Sequence, residues 1–225
     1  MRTALVIPAK GTSERVLGKN LIRINGKSLV YRACEKSLKC KEVDFVYLDT
    51  ECEAIKADVS DLINKGLRII DRPQALASNS CNANDLLIWA LHSVEDVDLI
   101  CQTFATSPLI TSKTMDKAIR AFKNFGNFDS FFTINNVKEY FWSDRANPIN
   151  FCPEVLPNSQ DLDPMLMETH GLYGVTVEAL VKGKKRVGSN PFLYPVNKIE
   201  ALDVDDNEDL EIVRAIIEKR EKDAG

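Results

Sequence analysis

Short apolar runs alternate along the chain with longer segments whose apolar residues recur at helical spacing. Strands are predicted at 3–8, 43–48, 67–70, 97–101, 128–134 and 171–177, and over part of 191–203. Between them, spacing near 3.6 places Leu29, Val30, Ala33, Cys34 and Ser37 on one helix face. The same spacing groups Leu86, Leu87, Ala90, Leu91 and Val94, and then Met115, Ala118, Ile119, Phe122 and Phe125. A final helix carries Leu210, Val213, Ile216 and Ile217 and ends in a Lys/Arg/Glu-rich tail. This alternation predicts an α/β fold with a mostly parallel sheet and helices on both faces. The stretch 136–170 breaks the pattern: it is rich in Asn, Pro and Asp, carries Tyr140, Phe141 and Trp142, and has no clear period. An excursion of that length from a compact sheet is usually functional or an interface.

Ligands of such sheets bind beyond the carboxyl ends of the strands. Chemistry is therefore expected in the loops 9–20, 71–82, 102–112 and 203–208. The chain of 225 residues suits one domain, and its net charge of −4 leaves no basic footprint for nucleic acid. No apolar run approaches a membrane span, and the one before Lys10 is too short for a signal-peptide core. Six cysteines without a Cys-x-x-Cys pair and two histidines give no zinc spacing. These features predict a cytoplasmic protein with reduced cysteines, no nucleic-acid partner and no membrane partner.

The first loop concentrates positive charge. Strand residues 4–8 lead into Ala9-Lys10-Gly11-Thr12-Ser13-Glu14-Arg15 and then Gly18-Lys19-Asn20. A P-loop has four residues between its glycines and Ser or Thr after the Lys. Here six residues intervene between Gly11 and Gly18, and Asn20 follows Lys19. Backbone N–H groups and cations can cradle phosphate without that geometry, and a polar surface turn is the alternative. Asp203 and Asp205 alternate at an expected strand end, so both carboxylates share a side and could hold one hard cation. Helix capping by Asp205 or Asp206 is the competing role, with Asp209 in the first turn of the last helix. Arg72 leaves a strand where a ligand would sit, although a surface salt bridge would also explain it. Gln102, Thr103, Thr106 and Ser107 form a polar loop able to bond sugar hydroxyls or simply to enter a helix. His92 reads as a helix-end residue. His170 precedes Gly171 and Gly174, which imply close approach by another group.

In order along the chain, Ile7-Pro8-Ala9-Lys10-Gly11-x-Ser13-x-Arg15, Lys19-Asn20, Arg72-Pro73-x-x-Leu76-Ala77, Thr106-Ser107-Pro108-Leu109 and Asp203-Val204-Asp205 resemble the acylneuraminate cytidylyltransferase family. The resemblance runs from residue 3 to about 215. It implies a Rossmann-like sheet of the nucleotide-diphospho-sugar transferase type and a homodimer, with 136–170 as the protruding dimerisation segment. It also implies attack of the anomeric hydroxyl of a nonulosonic acid on the α-phosphate of CTP, with Mg2+ as cofactor. Ala9, Lys10, Gly11, Ser13, Arg15, Lys19 and Asn20 would hold the triphosphate, and Arg72 and Ser80 the nucleoside side. Gln102, Thr106, His170 and Tyr173 would face the sugar, and Asp203 and Asp205 the metal. Catalysis would rest on Lys19 and the two aspartates. A Kdo-type cytidylyltransferase and a catalytically silent nucleotide-binding protein of a glycan locus are the alternatives. The chain departs from the family pattern at Lys10, usually Arg, and at Glu14 and Asn79. It departs again in the stretched loop 102–108, at Ile110 and at the turn Glu168-Thr169-His170-Gly171. The last three departures fall on the sugar side and leave the acceptor acid open.

Overall fold

The structure is a computed structural model that describes residues 1–12, 18–78 and 80–224. Ser13, Glu14, Arg15 and Asn79, singled out above, lie outside the described residues. Strand β1 (Thr3–Pro8) is followed by the small hairpin β2 (Arg23–Ile24) and β3 (Lys27–Ser28), then α1 (Leu29–Ser37) and β4 (Phe45–Thr50). Two short helices, α2 (Glu53–Asp58) and α3 (Ser60–Ile63), lead to β5 (Leu67–Asp71), α4 (Ala83–Leu91) and β6 (Leu99–Gln102). Helix α5 (Ser112–Phe125) precedes β7 (Ser130–Val137). After the excursion come β8 (Met165–Thr176), α6 (Val177–Gly183), β9 (Pro191–Pro195) and α7 (Asn207–Ala224).

Among the described residues, seven strands form one sheet in the order β5-β4-β1-β6-β8-β7-β9. Strands β5, β4, β1 and β6 run parallel, whereas β8 is antiparallel to both β6 and β7. Helices cover both faces, so every residue of β1 is buried and the strand reads as a continuous apolar run. Leu5 packs with Met115, Ala118 and Ile119 of α5, and Ile7 with Val30 and Ala33 of α1 and Val213 of α7. Ala4 and Val6 face the opposite layer, with Leu87 and Ala90 of α4 and Leu180 of α6. The chain leaves β1 for β4 on one side and returns through α4 to β6 on the other. The ends of β1, β4 and β6 therefore frame the crevice where such sheets bind ligands.

The structure moves several predicted boundaries. The second strand runs two residues further, to Asp49 and Thr50, because both polar residues are buried at its carboxyl end. Phe125 lies on the expected helix face but is 58% exposed, packing edge-on against Phe128. The excursion is shorter than 136–170. Strand β7 continues to Val137 and β8 begins at Met165, pairing Asn136 with Leu166 and Val137 with Met165. Within it Trp142 bridges Pro148, and Tyr140 and Trp142 pack on Phe151 at 4.9 and 5.2 Å. Residues 203–205 are irregular rather than a strand end. The two glycines near His170 serve the core: a Cβ on Gly174 would lie 2.0 Å from the Phe131 ring, and one on Gly171 2.9 Å from Ile110 Cδ1.

Candidate active site

A cleft of about 440 Å³ opens at the carboxyl ends of β1 and β6, within the range of ordinary small-molecule sites. Pro8, Lys10, Thr12, Lys19 and Asn20 line one wall, and Arg72, Leu76, Ser78 and Cys81 another. Ala83 and Leu86 of α4 close it, and Phe104, Ala105 and Thr106 form the last side.

The first loop is fixed at both ends. Ala9 N–H donates to the Asp49 carbonyl at 2.9 Å, and Gly11 N–H to Glu51 Oε1 at 2.7 Å. A Cβ on Gly11 would strike Cys52 Sγ at 2.7 Å, so glycine here serves packing. Gly18 adopts φ 61°, which glycine tolerates without strain, and starts the 3-10 turn Lys19–Leu21. Asn20 Nδ2 donates to the Lys10 carbonyl at 2.9 Å, folding the two halves of the loop together. Ala9 is buried, and neither it nor Gly11 lines the cleft; their part is in the backbone bonds.

Lys19 is buried, and its Nζ donates to the Val204 carbonyl. Val204 is fully buried, and its N–H donates to the Thr106 carbonyl at 2.8 Å. Lys19, the Thr106 loop and the Asp203-Val204-Asp205 segment thus form one bonded unit from three distant parts of the chain. Ser107 Oγ donates to Asp203 Oδ1 at 2.8 Å, and His170 Nδ1 lies 3.2 Å from Asp203 Oδ2. Burial pushes the Asp203 carboxyl up, but hydrogen bonds from His170, Thr106 and Ser107 together hold it below its usual value. The hydrogen bond to Asp203 raises the His170 imidazole above its ordinary range, against partial burial.

The aspartates divide their tasks. Asp206 Oδ1 accepts from Glu208 N–H at 2.9 Å and Asp209 N–H at 3.0 Å, while Asp209 Oδ2 accepts from Asp205 N–H at 2.9 Å. Capping of α7 is therefore the work of Asp206 and Asp209. Among the described residues no group of three or more His, Cys, Asp or Glu side chains forms a protein cage for a metal.

Arg72 lines the cleft, and its ion pair is not the surface salt bridge the sequence offered as the alternative. Its side chain is buried, donating through Nε and Nη2 to Asp49 at 3.1 and 2.8 Å, with Glu51 at 3.8 Å. It is a buried ion pair whose edge lines the cleft. Burial raises the Asp49 carboxyl despite that contact. Ser80 is exposed and bonds Ser78 Oγ at 2.7 Å; Ser78 and Cys81 line the cleft in its place. Thr106 lines the cleft. Gln102 is fully buried at the end of β6, its Nε2 3.4 Å from the Ala83 carbonyl. Its Oε1 is buried with no hydrogen-bond partner among the described residues. Tyr173 is register-paired with Gln102, fully buried, and donates its hydroxyl to Glu168 Oε1 at 2.6 Å. Burial and that bond both raise its pKa.

Two residues here were not among the candidates the sequence singled out. Lys36, read only as part of α1, donates Nζ to the Ser107 carbonyl at 2.6 Å, behind the hydroxyl that holds Asp203. Burial brings its pKa down to about 7. Phe104 was visible only as an insertion in the stretched loop, yet it lines the cleft and meets His170 and Tyr173 edge-on at 5.9 and 6.3 Å.

Comparison with known proteins fits this geometry. The 8-amino-3,8-dideoxy-manno-octulosonate cytidylyltransferase of Shewanella frigidimarina is 32% identical over 130 residues, 57% of this chain and 51% of that one. N-acylneuraminate cytidylyltransferase A of Danio rerio is 23% identical over 210 residues, 90% of this chain and 47% of that one. The chain thus spans about half the length of these curated relatives. The solved structure of CMP:2-keto-3-deoxy-manno-octonic acid synthetase complexed with CTP superposes with a TM-score of 0.73 at 18% identity, covering 98% of this chain and 100% of that one. It shares the fold. No helix among the described residues is long and apolar enough to cross a membrane. The family model described as cytidylyltransferase matches residues 4–156, and the chain belongs to that family.

Proposed function

We propose that this protein transfers CMP from CTP to the anomeric hydroxyl of an ulosonic acid and releases pyrophosphate. The observation that carries this reading is the bonded unit of Lys19, Thr106 and the Asp203–Asp205 segment. It ties Lys19 and Thr106, which line a cleft of nucleotide size, to the segment that carries Asp203 and Asp205. Lys10, Lys19 and Asn20 would hold the triphosphate, with Ser13 and Arg15 as further candidates from the sequence. Arg72 and the Ser78–Cys81 wall would bound the nucleoside. Gln102, whose buried Oε1 calls for a donor, would take a sugar hydroxyl, with Thr106, His170 and Tyr173 around it.

The donor set fits Mg2+, which takes one or two protein carboxylates and completes its shell with phosphate oxygens and water. Asp203 and Asp205 would hold it. Bound there, Mg2+ supplies a positive charge that polarises phosphate oxygens. The chain's own contribution is positioning and charge neutralisation, which dominate phosphoryl-type transfer. Lys19 neutralises the phosphates while fixing Val204. Thr106 and Ser107 orient Asp203, and the aromatic wall of Phe104 limits water on the sugar side. Relatives named for 8-amino-3,8-dideoxy-manno-octulosonate and for N-acylneuraminate support an acceptor among the eight- and nine-carbon ulosonic acids. A homodimer through the excursion after β7 and a cytoplasmic location complete the reading. Exposed Trp142, Val155 and Leu156 favour the first, and six free cysteines the second.

The test is pyrophosphate release, with product identified by mass, from CTP, Mg2+ and a panel of ulosonic acids. Release with at least one acid is expected, and no release with any of them would sink the reading. CTP binding without turnover would favour the silent alternative. Asp205→Ala should lose turnover by about a hundredfold or more in a protein that still folds, because α7 keeps its Asp206–Asp209 cap.

A further inference from the structure

We propose that Arg186 determines specificity on the sugar side by recognising the carboxylate of the acceptor acid, with Glu168 and Tyr173 as its positioning residues. This rests on the transferase reading above. Arg186 lies in a Lys184-Lys185-Arg186 run after α6 that reads as ordinary helix-end charge. Its neighbours mark it off. The guanidinium carbon sits 3.7 Å from the centre of the Tyr173 ring and 5.8 Å from that of Phe104, the cleft residue that also meets His170. Nη2 donates to Glu168 Oε1 at 3.2 Å, the same oxygen that accepts from the Tyr173 hydroxyl at 2.6 Å. The Arg186 N–H donates to Asn84 Oδ1 at 2.9 Å. This docks the segment on the first turn of α4, beside Ala83, which lines the cleft and lies against Gln102.

A cation is thus built into the sugar end of the site and kept 17% exposed. A guanidinium has five N–H donors in a planar fork. The bond to Glu168 uses one of them, leaving an edge for a bidentate partner. The acceptor acid brings a carboxylate next to Asp203, Asp205 and Glu168. In a partly desolvated site that charge is costly unless it is paired. Lys10 and Lys19 belong to the phosphate side of the cleft. Arg186 stacks on Tyr173, the register partner of Gln102, and so stands where the acid needs its counter-charge.

The experiment compares Arg186→Gln, Arg186→Lys and the wild type on an accepted ulosonic acid and on its C1 carboxamide. For Arg186→Gln the KM for the acid should rise about ten- to a hundredfold, the loss of a charge-assisted hydrogen bond. The KM for CTP should stay within about twofold, and the preference for acid over amide should collapse. Arg186→Lys keeps the charge without the fork and should fall between, which also decides the matter should Arg186→Gln fold poorly. Variants that lose stability or CTP affinity at an unchanged acid-to-amide ratio would make Arg186 structural and overturn the proposal. A wild type active on the acid with variants matching it overturns this inference alone. A wild type inactive on every acid overturns the transferase reading and this one with it.

Discussion

The most telling single residue is His170, because its partner is Asp203, one of the two aspartates proposed for the site. Nδ1 faces Asp203 Oδ2 at 3.2 Å, and the two groups shift in opposite directions, His170 up and Asp203 down. A histidine raised in the folded state adds stability that is complete below its unfolded value, about 6.5. That stability is lost as pH rises through the folded value. A depressed carboxyl adds stability present above its unfolded value, about 3.9, and lost as pH falls through the folded one. The pair is therefore ionic between the lowered Asp203 and the raised His170 values. NMR titration of the metal-free protein should give His170 a midpoint above that of an unperturbed imidazole, and Asp203→Asn should bring it down. A wild-type midpoint at or below the ordinary value would show that the contact does not hold the proton. At this scale the sequence was half legible. The Asp203/Asp205 pair, Lys19 and Thr106 stood out by type and position, and the structure joins them. Arg72 stood out too, but its partner Asp49 hides at a strand end, where a polar residue reads as the start of a loop. Arg186 and Lys36 gave no signal because lysine and arginine near helix ends are ordinary.

Helices and strands were more legible, since their apolar spacing reflects which face meets the sheet. Helix α5 is buried through Met115, Ala118, Ile119 and Phe122, four of the five residues its period selects. Its Thr111 cap and its Gly126 end at φ 66° sit where the sequence changes character. The boundaries that moved did so for tertiary reasons. Asp49 and Thr50 are drawn into β4 by Arg72 and by pairing with β5. Strand β8 extends back to Met165 because β7 offers it an edge, although its first residues are exposed. Helix α7 poses the sharpest question for an element, since four acids crowd its entry. The Asp206–Asp209 bonds separate helix capping from site chemistry. Asp206→Ala should lower stability by about 1 kcal/mol, the usual cost of losing an N-cap, measured by urea denaturation at unchanged slope. Turnover should change little when the enzyme is assayed well below its melting temperature. A loss of turnover comparable to that of Asp205→Ala, without loss of stability, would return Asp206 to the site.

For the whole molecule, alternation of strands and helices was enough to infer a mostly parallel sheet, but not the reversal at β8, which depends on pairings far apart in sequence. Because β8 runs antiparallel to β7, the two leave the sheet together as a ribbon, carrying Leu166 and Met167 opposite Asn136 and Asn135. The excursion beyond it exposes Trp142, Ile149, Val155 and Leu156, the last two at 76% and 64%. Soluble monomers rarely leave a contiguous apolar surface of more than a few hundred Å² uncovered. A second copy of the chain is the partner the family resemblance implies for this ribbon. Because Val155 and Leu166 are largely exposed, replacing them does not disturb the core. Val155→Asp with Leu166→Asp should therefore leave the circular dichroism spectrum and melting cooperativity intact. It should weaken self-association by about tenfold or more for each buried side chain lost, read as a shift toward monomer in sedimentation velocity. A wild type that sediments as a monomer at every concentration, or a double variant that dimerises as the wild type does, would remove the ribbon from the interface.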